Sequence, residues 1–251
     1  AAKRNGISPL YNEYNVQQVL SHVVGVPYQE TISITENIHV TFFKNGHLLG
    51  AALILVQISY PEQDNINLLF TGDYNNKNCF FDVPPLPDEV LELPVTIMQE
   101  STYGDTDSIQ VQPCFEENLL SQVSKNGTIV IPVFSLGRSQ EILYFLKKLQ
   151  DDGKLDISIP IYFDGKLAKH YTALYQKNQL DIREDMVEFM PKNLVLVDSD
   201  IRNDIIKDDD LKITVTTSGM GSYGPAQLYI PIFIKSSKSL IHFTGYTAEG
   251  S

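Results

Sequence analysis

After Tyr103 the chain changes its rhythm, and that change limits what it can fold into. Downstream of it, apolar runs of strand length alternate with helical patterns. The pattern predicts a helix over 113–124, a buried strand over 128–134 (TIVIPVF), a helix over 139–149, a strand over 158–163 and a helix over 167–177. Further strands are predicted at 194–197, 212–217 and 240–243. Strands separated by helices of about 10–15 residues imply right-handed crossovers and a parallel sheet. Upstream the reading differs. A short amphipathic helix is predicted over 14–24, with Val16, Val19, Leu20 and Val23 on one face. Strands follow at 31–34, 39–43, 51–59 and 66–70, with 61–65 as the connection between the last two. Residues 75–87 lack periodicity and read as loop, and a strand over 95–99 leads straight into Glu100. The fold class is α/β.

Three polar runs punctuate the upstream part: Asn45-Gly46-His47-Leu48-Leu49-Gly50-Ala51, Phe70-Thr71-Gly72-Asp73 and Glu100-Ser101-Thr102-Tyr103-Gly104. Each follows an apolar stretch, so each presents polar groups at a strand end. One imidazole and two carboxylates delivered this way are a usual beginning of a metal site. Each residue also has an ordinary reading. His47, between Gly46 and Gly50, is either a metal ligand or a turn histidine that packs or meets water. Asp73 is either a ligand or the cap of an Asx-turn. Glu100 is either a site acid or a cap for the Ser-Thr pair behind it. A fourth run, Pro132-Val133-Phe134-Ser135-Leu136-Gly137-Arg138-Ser139-Gln140-Glu141, joins a strand to a helix. Backbone amides at that helix start, with Arg138 and Ser139 beside them, suit a phosphate. The plain alternative is N-capping by Ser135 or Ser139, with Arg138 paired to an acidic neighbour. Ser218-Gly219-Met220-Gly221 makes a similar strand-to-helix turn. The other histidines, His22, His39, His170 and His242, lie on predicted helices or strands and show no HxH or HxxxH spacing.

Taken together and in this order, the runs resemble the metallo-β-lactamase-fold nucleases that carry a β-CASP domain, such as the endonuclease of pre-mRNA 3′ ends and the bacterial RNase J enzymes. The resemblance extends from Pro9-Leu10-Tyr11 to Gly245-Tyr246-Thr247-Ala248-Glu249-Gly250. It implies a partial metallo-β-lactamase αββα sandwich over 1–104 and a β-CASP domain with a parallel sheet flanked by helices over 105–251. It implies a pair of zinc ions, with His47 a ligand of one and Asp73 the bridge between them. It makes Glu100 the acid that orients a general-acid histidine. It turns the Ser135, Gly137, Arg138 and Ser139 loop toward the active cleft, where it would meet RNA phosphate. The implied reaction is zinc-dependent hydrolysis of RNA phosphodiesters. The family's HxHxDH motif and its later histidine motifs do not occur in these 251 residues. The expectation is therefore a truncated enzyme that is inactive alone and does not retain zinc, with a non-catalytic scaffold or binding subunit as the alternative. A small-molecule metallohydrolase is a further alternative, opposed by the PVFSLGRSQE and GYTAEGS runs.

Composition narrows the rest. A net charge of −12 excludes a general nucleic-acid binder, because such binding needs Lys and Arg to neutralise phosphates. Asp208-Asp209-Asp210 reads as a solvated turn. At 43% hydrophobic the chain can bury one large core or two modest ones. It has no apolar run near membrane-spanning length and no signal-peptide pattern at Ala1–Gly6. Cys79 and Cys114 are too few for a disulfide framework, so a reducing cytoplasm is expected. An incomplete sandwich would leave the faces of 51–59 and 95–99 partly uncovered, so self-association is also expected.

Overall fold

A computed structural model describes residues 9–105, 114–178 and 181–248. The expected helix start at 113 and the closing Glu249-Gly250 lie outside the described residues. Two compact units interleave along the chain. Residues 9–44, 52–72 and 86–99 make the first, while 45–51, 73–85 and the described residues from 100 onward make the second.

The first unit opens with α1 (Glu13–Leu20) and continues through β1 (Thr31–Thr35), β2 (Ile38–Lys44), β3 (Ala52–Ile58), β4 (Ile66–Phe70), α2 (Asp88–Leu91) and β5 (Val95–Met98). Its sheet runs in the order β1-β2-β3-β4-β5, antiparallel throughout except for the parallel β4–β5 pair. Register places Leu55 between Thr41 and Leu69 on one face. There Phe43, Leu55 and Leu69 pack with Val90 of α2 into a small core. Period-2 alternation sends Val40, Phe42, Ile54, Val56, Leu68 and Phe70 to the other face, where all are only half-buried. In α1, Asn12 caps the first turn by accepting from the Asn15 N–H. The helix ends at Leu20, short of the expected residue 24, and buries none of its residues.

The second unit holds α3 (Phe115–Ser124), β6 (Thr128–Pro132), α4 (Arg138–Asp151), β7 (Ile161–Asp164), α5 (Lys166–Lys177), β8 (Leu194–Leu196), α6 (Ser199–Lys207), β9 (Ile213–Thr216), α7 (Ala226–Phe233) and β10 (Ser239–Ile241). Its sheet is parallel throughout, in the order β10-β6-β9-β7-β8. Every residue of β6 is buried, as befits a strand covered on both faces. One face carries Ile129, Ile131, Ile161, Phe163, Ile213 and Val215 against α3, α4 and α5. The opposite face packs Val130 and Val197 against Ile205 and Ile206 of α6 and Tyr229 and Phe233 of α7. Helix α6 was not expected from the sequence, although Asp198 caps it by accepting from the Asp200 and Ile201 amides.

Buried charge in this unit is paired. Asp164, 1% exposed, takes a two-pronged ion pair from Arg202, with Nε to Oδ2 at 2.6 Å and Nη2 to Oδ1 at 3.0 Å. The Tyr229 hydroxyl adds a third bond to it at 2.9 Å. Lys212 is fully buried, donates to the carbonyls of Asp208 and Asp210 and faces the Asp208 carboxylate at 3.4 Å. The acidic 208–210 run is thus a turn closed over a lysine, and its own side chains are exposed.

Candidate active site

His47, Asp73 and Glu100 come from three separate loops, and all three loops belong to the second unit. Asn45 is the hinge of the arrangement. It is 3% exposed. Its side-chain amide donates to the Asp73 carbonyl at 3.0 Å. Its side-chain oxygen accepts the His47 N–H at 3.1 Å. Its backbone carbonyl accepts the Asn75 N–H at 2.8 Å. Asn78 adds a second tie, donating to the Gly46 carbonyl at 3.0 Å while accepting the Phe80 N–H at 2.9 Å. The loops touch so closely at Gly46, where φ is +74°, that a Cβ there would overlap the Asn75 carbonyl.

These ties bring His47 Nε2 to 3.9 Å from Asp73 Oδ2. Both side chains remain open to solvent, 42% and 71% exposed, as a pair that meets a ligand must be. Glu100 is near enough to His47 for the imidazole to act on its carboxyl. Its carboxyl is held below the ordinary range first by the Thr102 backbone N–H, which donates at 2.8 Å, then by the Thr102 hydroxyl, with the Tyr74 backbone and the His47 imidazole adding to the effect. The structure therefore brings His47 and Asp73 together, with Glu100 linked to them through the Tyr74 backbone and the charge of His47.

An imidazole nitrogen and a carboxylate oxygen are correct donors for zinc. Two ligands about 2.1 Å from one tetrahedral ion stand about 3.4 Å apart, and the pair stands wider than that, at 3.9 Å. A catalytic zinc takes three protein ligands or more. Among the described residues no three His, Cys, Asp or Glu side chains are grouped to hold an ion. The remaining histidines stand elsewhere. His39 meets the Ser33 hydroxyl at 3.0 Å, His22 meets the Gln18 carbonyl at 2.7 Å, and His170 is exposed on α5. His242 packs edge-on against Phe115 with centroids 4.8 Å apart.

The 135–139 loop abuts this cluster. Gly137, at φ +78°, leaves no room for a Cβ, which would overlap Leu48 Cδ2, the neighbour of His47. Its amides bond within the chain. The Gly137 N–H goes to Gln140 Oε1 at 2.8 Å, the Arg138 N–H to the Leu136 carbonyl at 3.1 Å and the Ser139 N–H to the Phe134 carbonyl at 3.2 Å. Ser139 is fully buried, and its hydroxyl donates to the Phe134 and Ser135 carbonyls. Gln140, also fully buried, ties the loop to Thr172 of α5 at 2.8 Å. The groups that remain presented are the half-buried Ser135 and the exposed Arg138, whose guanidinium pairs with Glu141 at 2.7 Å. The Ser218–Gly221 turn is self-contained: Ser218 donates its N–H to the Tyr223 carbonyl at 2.9 Å and accepts the Gly221 N–H at 2.9 Å. Asn45, Asn78 and Gln140 escaped the sequence reading. Gln140 and Asn45 carried a signal, being part of the Pro132–Glu141 and Asn45–Ala51 runs, whereas Asn78 carried none beyond nearness to Asp73.

Comparison with known proteins matches this arrangement to a family. Residues 139–251 match the Beta-Casp domain. Over 98% of its length the chain is 32% identical to an RNase J-like protein of Methanocaldococcus jannaschii, of which it covers 58%. It is 31% identical, over its whole length, to transcription termination factor FttA of Methanosarcina mazei, of which it covers 40%. It is 32% identical over 96% of its length to endoribonuclease ysh1 of Schizosaccharomyces pombe, of which it covers 32%. The chain thus spans between a third and somewhat over half of these relatives. Residues 139–251, which supply β7 to β10 of the parallel sheet, belong to the Beta-Casp domain family.

Proposed function

We propose that this chain contributes to metal-dependent hydrolysis of RNA phosphodiesters, within a protein that supplies further zinc ligands. The observation that carries the reading is the approach of His47 Nε2 to Asp73 Oδ2 at 3.9 Å, with Glu100 alongside, in a chain similar to an endoribonuclease and an RNase J-like protein. His47 and Asp73 would hold zinc, Asp73 as the bridge between two ions. Bound zinc supplies a nucleophilic hydroxide and neutralises charge on phosphorus. The chain's own residues do the remaining work. Glu100, kept ionised, accepts a hydrogen bond from the group that protonates the leaving oxygen and fixes its orientation. Arg138 and Ser135 hold the substrate phosphate from the side of the 135–139 loop, Gly137 allows that loop to approach Leu48, and Ser139 braces it from within. The division at 1–104 and 105–251 is proposed as the boundary between the two family domains. The setting is proposed to be the cytoplasm.

The scaffold alternative has one observation in its favour, the two-ligand count among the described residues. A labelled RNA separates the two readings. It is incubated with the chain alone, and with the chain joined to those parts of the RNase J-like relative that it does not match. The hydrolytic reading expects no cleavage by the chain alone, chelator-sensitive cleavage by the joined protein, loss of turnover with Asp73→Ala and a severe but smaller loss with Glu100→Gln. A joined protein that folds, binds zinc and leaves RNA intact would favour the scaffold.

A further inference from the structure

The chain carries 31 Asp and Glu against 19 Lys and Arg, so a polyanion is repelled except where carboxylates are missing. Two long stretches, 118–140 and 211–248, contain no Asp or Glu. They are far apart in sequence, but the fold sets them side by side. The first carries β6 and the second β9 and β10, which neighbour one another in the order β10-β6-β9. The carboxyl ends of parallel strands are where such sheets take ligands. At that end the Val133 N–H donates to the Thr216 carbonyl at 2.8 Å, and the Thr244 hydroxyl to the Pro132 carbonyl at 3.4 Å. Arg138 follows β6 and Lys166 follows β7, and both are exposed. Asp198 and Asp200 follow β8, at the far edge of the sheet.

The same end displays aromatic rings. Phe134 and Phe243 are 39% and 40% exposed, and Tyr223 and Tyr246 are 76% and 67% exposed. A Cβ on Gly219 would stand 2.9 Å from Phe134 Cδ2, and one on Gly245 would stand 3.3 Å from Phe134 Cε2. Bare backbone of the loops that bear Tyr223 and Tyr246 thus lies against the Phe134 ring. Ser218 ties Tyr223 into its turn, donating its N–H to the Tyr223 carbonyl at 2.9 Å while its hydroxyl accepts the Tyr223 N–H at 3.2 Å. Phe134 also continues into the loop already described, because its carbonyl accepts the Ser139 N–H at 3.2 Å. Rings free of neighbouring carboxylates, beside an exposed guanidinium, suit a strand that offers flat base faces and phosphates together.

We propose that Phe134, Tyr223, Phe243 and Tyr246 form a base-stacking surface for single-stranded RNA, flanked by the phosphate contact at Arg138. The inference rests on the RNA reading above and deepens it: phosphate contacts alone do not sense bases, whereas a stacking surface does. Paired bases keep their faces inside the duplex, so this surface selects unpaired strands.

The test measures binding of the full chain, by fluorescence anisotropy, to two end-labelled strands of about ten nucleotides. One is oligoadenylate and the other its abasic counterpart, with the same phosphates and no bases. The oligoadenylate should bind more tightly. Tyr223→Ala and Tyr246→Ala alter exposed side chains, so the melting temperature should hardly move. Each should weaken oligoadenylate binding roughly fivefold or more and leave the abasic strand unaffected. Tyr223→Phe and Tyr246→Phe, which keep the ring, should bind like the unaltered chain. Arg138→Ala should weaken both strands alike. If the unaltered chain binds the two strands equally, or if the alanine variants bind oligoadenylate as it does, the stacking surface is overturned while RNA binding stands. If the unaltered chain binds neither strand, the RNA reading falls and this inference with it.

Discussion

The two units solve the same problem with different completeness. The first buries Phe43, Leu55, Leu69 and Val90 on one face of its sheet and leaves Val40, Phe42, Ile54, Val56, Leu68 and Phe70 half-covered on the other. The second covers both faces of its sheet, with α3, α4 and α5 on one side and α6 and α7 on the other. Every candidate site residue belongs to the second unit, including the loops 45–51 and 73–85 that interrupt the first in sequence. The lesson is that strand ends supply the candidate residues, but the unit with the fully packed sheet holds them. The loops bearing His47 and Asp73 anchor where the core is deepest: Leu49 packs against that core, and Phe80 is 1% exposed within it.

The comparison breaks most readily in the cores. Ile131→Ala, at a fully buried position of β6, should cost about 2–5 kcal/mol in denaturant unfolding, whereas Val56→Ala on the half-covered face should cost under about 1 kcal/mol. Equal losses would mean that the half-covered face is covered in solution. Light scattering then sharpens the point. Exposed apolar faces favour association, so the apparent mass should rise with concentration, and Val56→Lys should return it to that of one chain.

Asp164→Ala comes next. It leaves the Arg202 guanidinium and the Tyr229 hydroxyl without their shared acceptor and should cost about 2–3 kcal/mol. That is less than for a fully buried pair, because Arg202 keeps 21% of its side chain in solvent. Chemical unfolding with a loss below about 1 kcal/mol would show that the pair does not tie α6 and α7 to the sheet.

Arg138→Ala should do the reverse. Its pair with Glu141 is solvent-exposed, 46% and 35%, and such pairs contribute about 0–1 kcal/mol. The melting temperature should move by under about 4 °C, while RNA binding weakens and its salt dependence falls. A larger stability loss with unchanged RNA binding would make Arg138 a structural residue.

The smallest effect belongs to His242. Burial holds its pKa below the ordinary 6.5, so the unfolded chain takes up the proton first. The stability contributed by the neutral ring is present above about pH 6.5, declines as the pH falls through that value, and levels off once the folded imidazole also protonates. His242→Phe should remove this slope from unfolding measured between pH 7 and 5. An unchanged slope would assign it to other groups.

Much of this was legible in the sequence because it rests on local pattern. The TIVIPVF run reads as a buried strand, and Thr128–Pro132 of it is one, while the pattern over 139–149 reads as the helix that follows. The α/β class and the parallel second sheet followed. What stayed hidden depends on contacts between distant residues. Nothing near Asn45 says that its amide will reach Asp73, 28 positions on. The inward turn of the Ser139 hydroxyl and of the 137–139 amides depends on where Gln140 finds Thr172. Helix α6 was missed for a different reason. Its Asp198 cap and the Ile201, Ile205 and Ile206 spacing were present in the sequence and went unread.

One measurement tests the central claim, that a single cluster in the second unit is where RNA meets this chain. A short single-stranded RNA is titrated into the isotopically labelled full chain and backbone shifts are mapped. The account predicts perturbations confined to the neighbourhood of His47, Asp73, Glu100, Ser135 and Arg138, lost with Arg138→Ala and weakened by salt. Shifts centred on the half-covered face of the first unit, or none at all at concentrations where that RNA is in large excess, would contradict it.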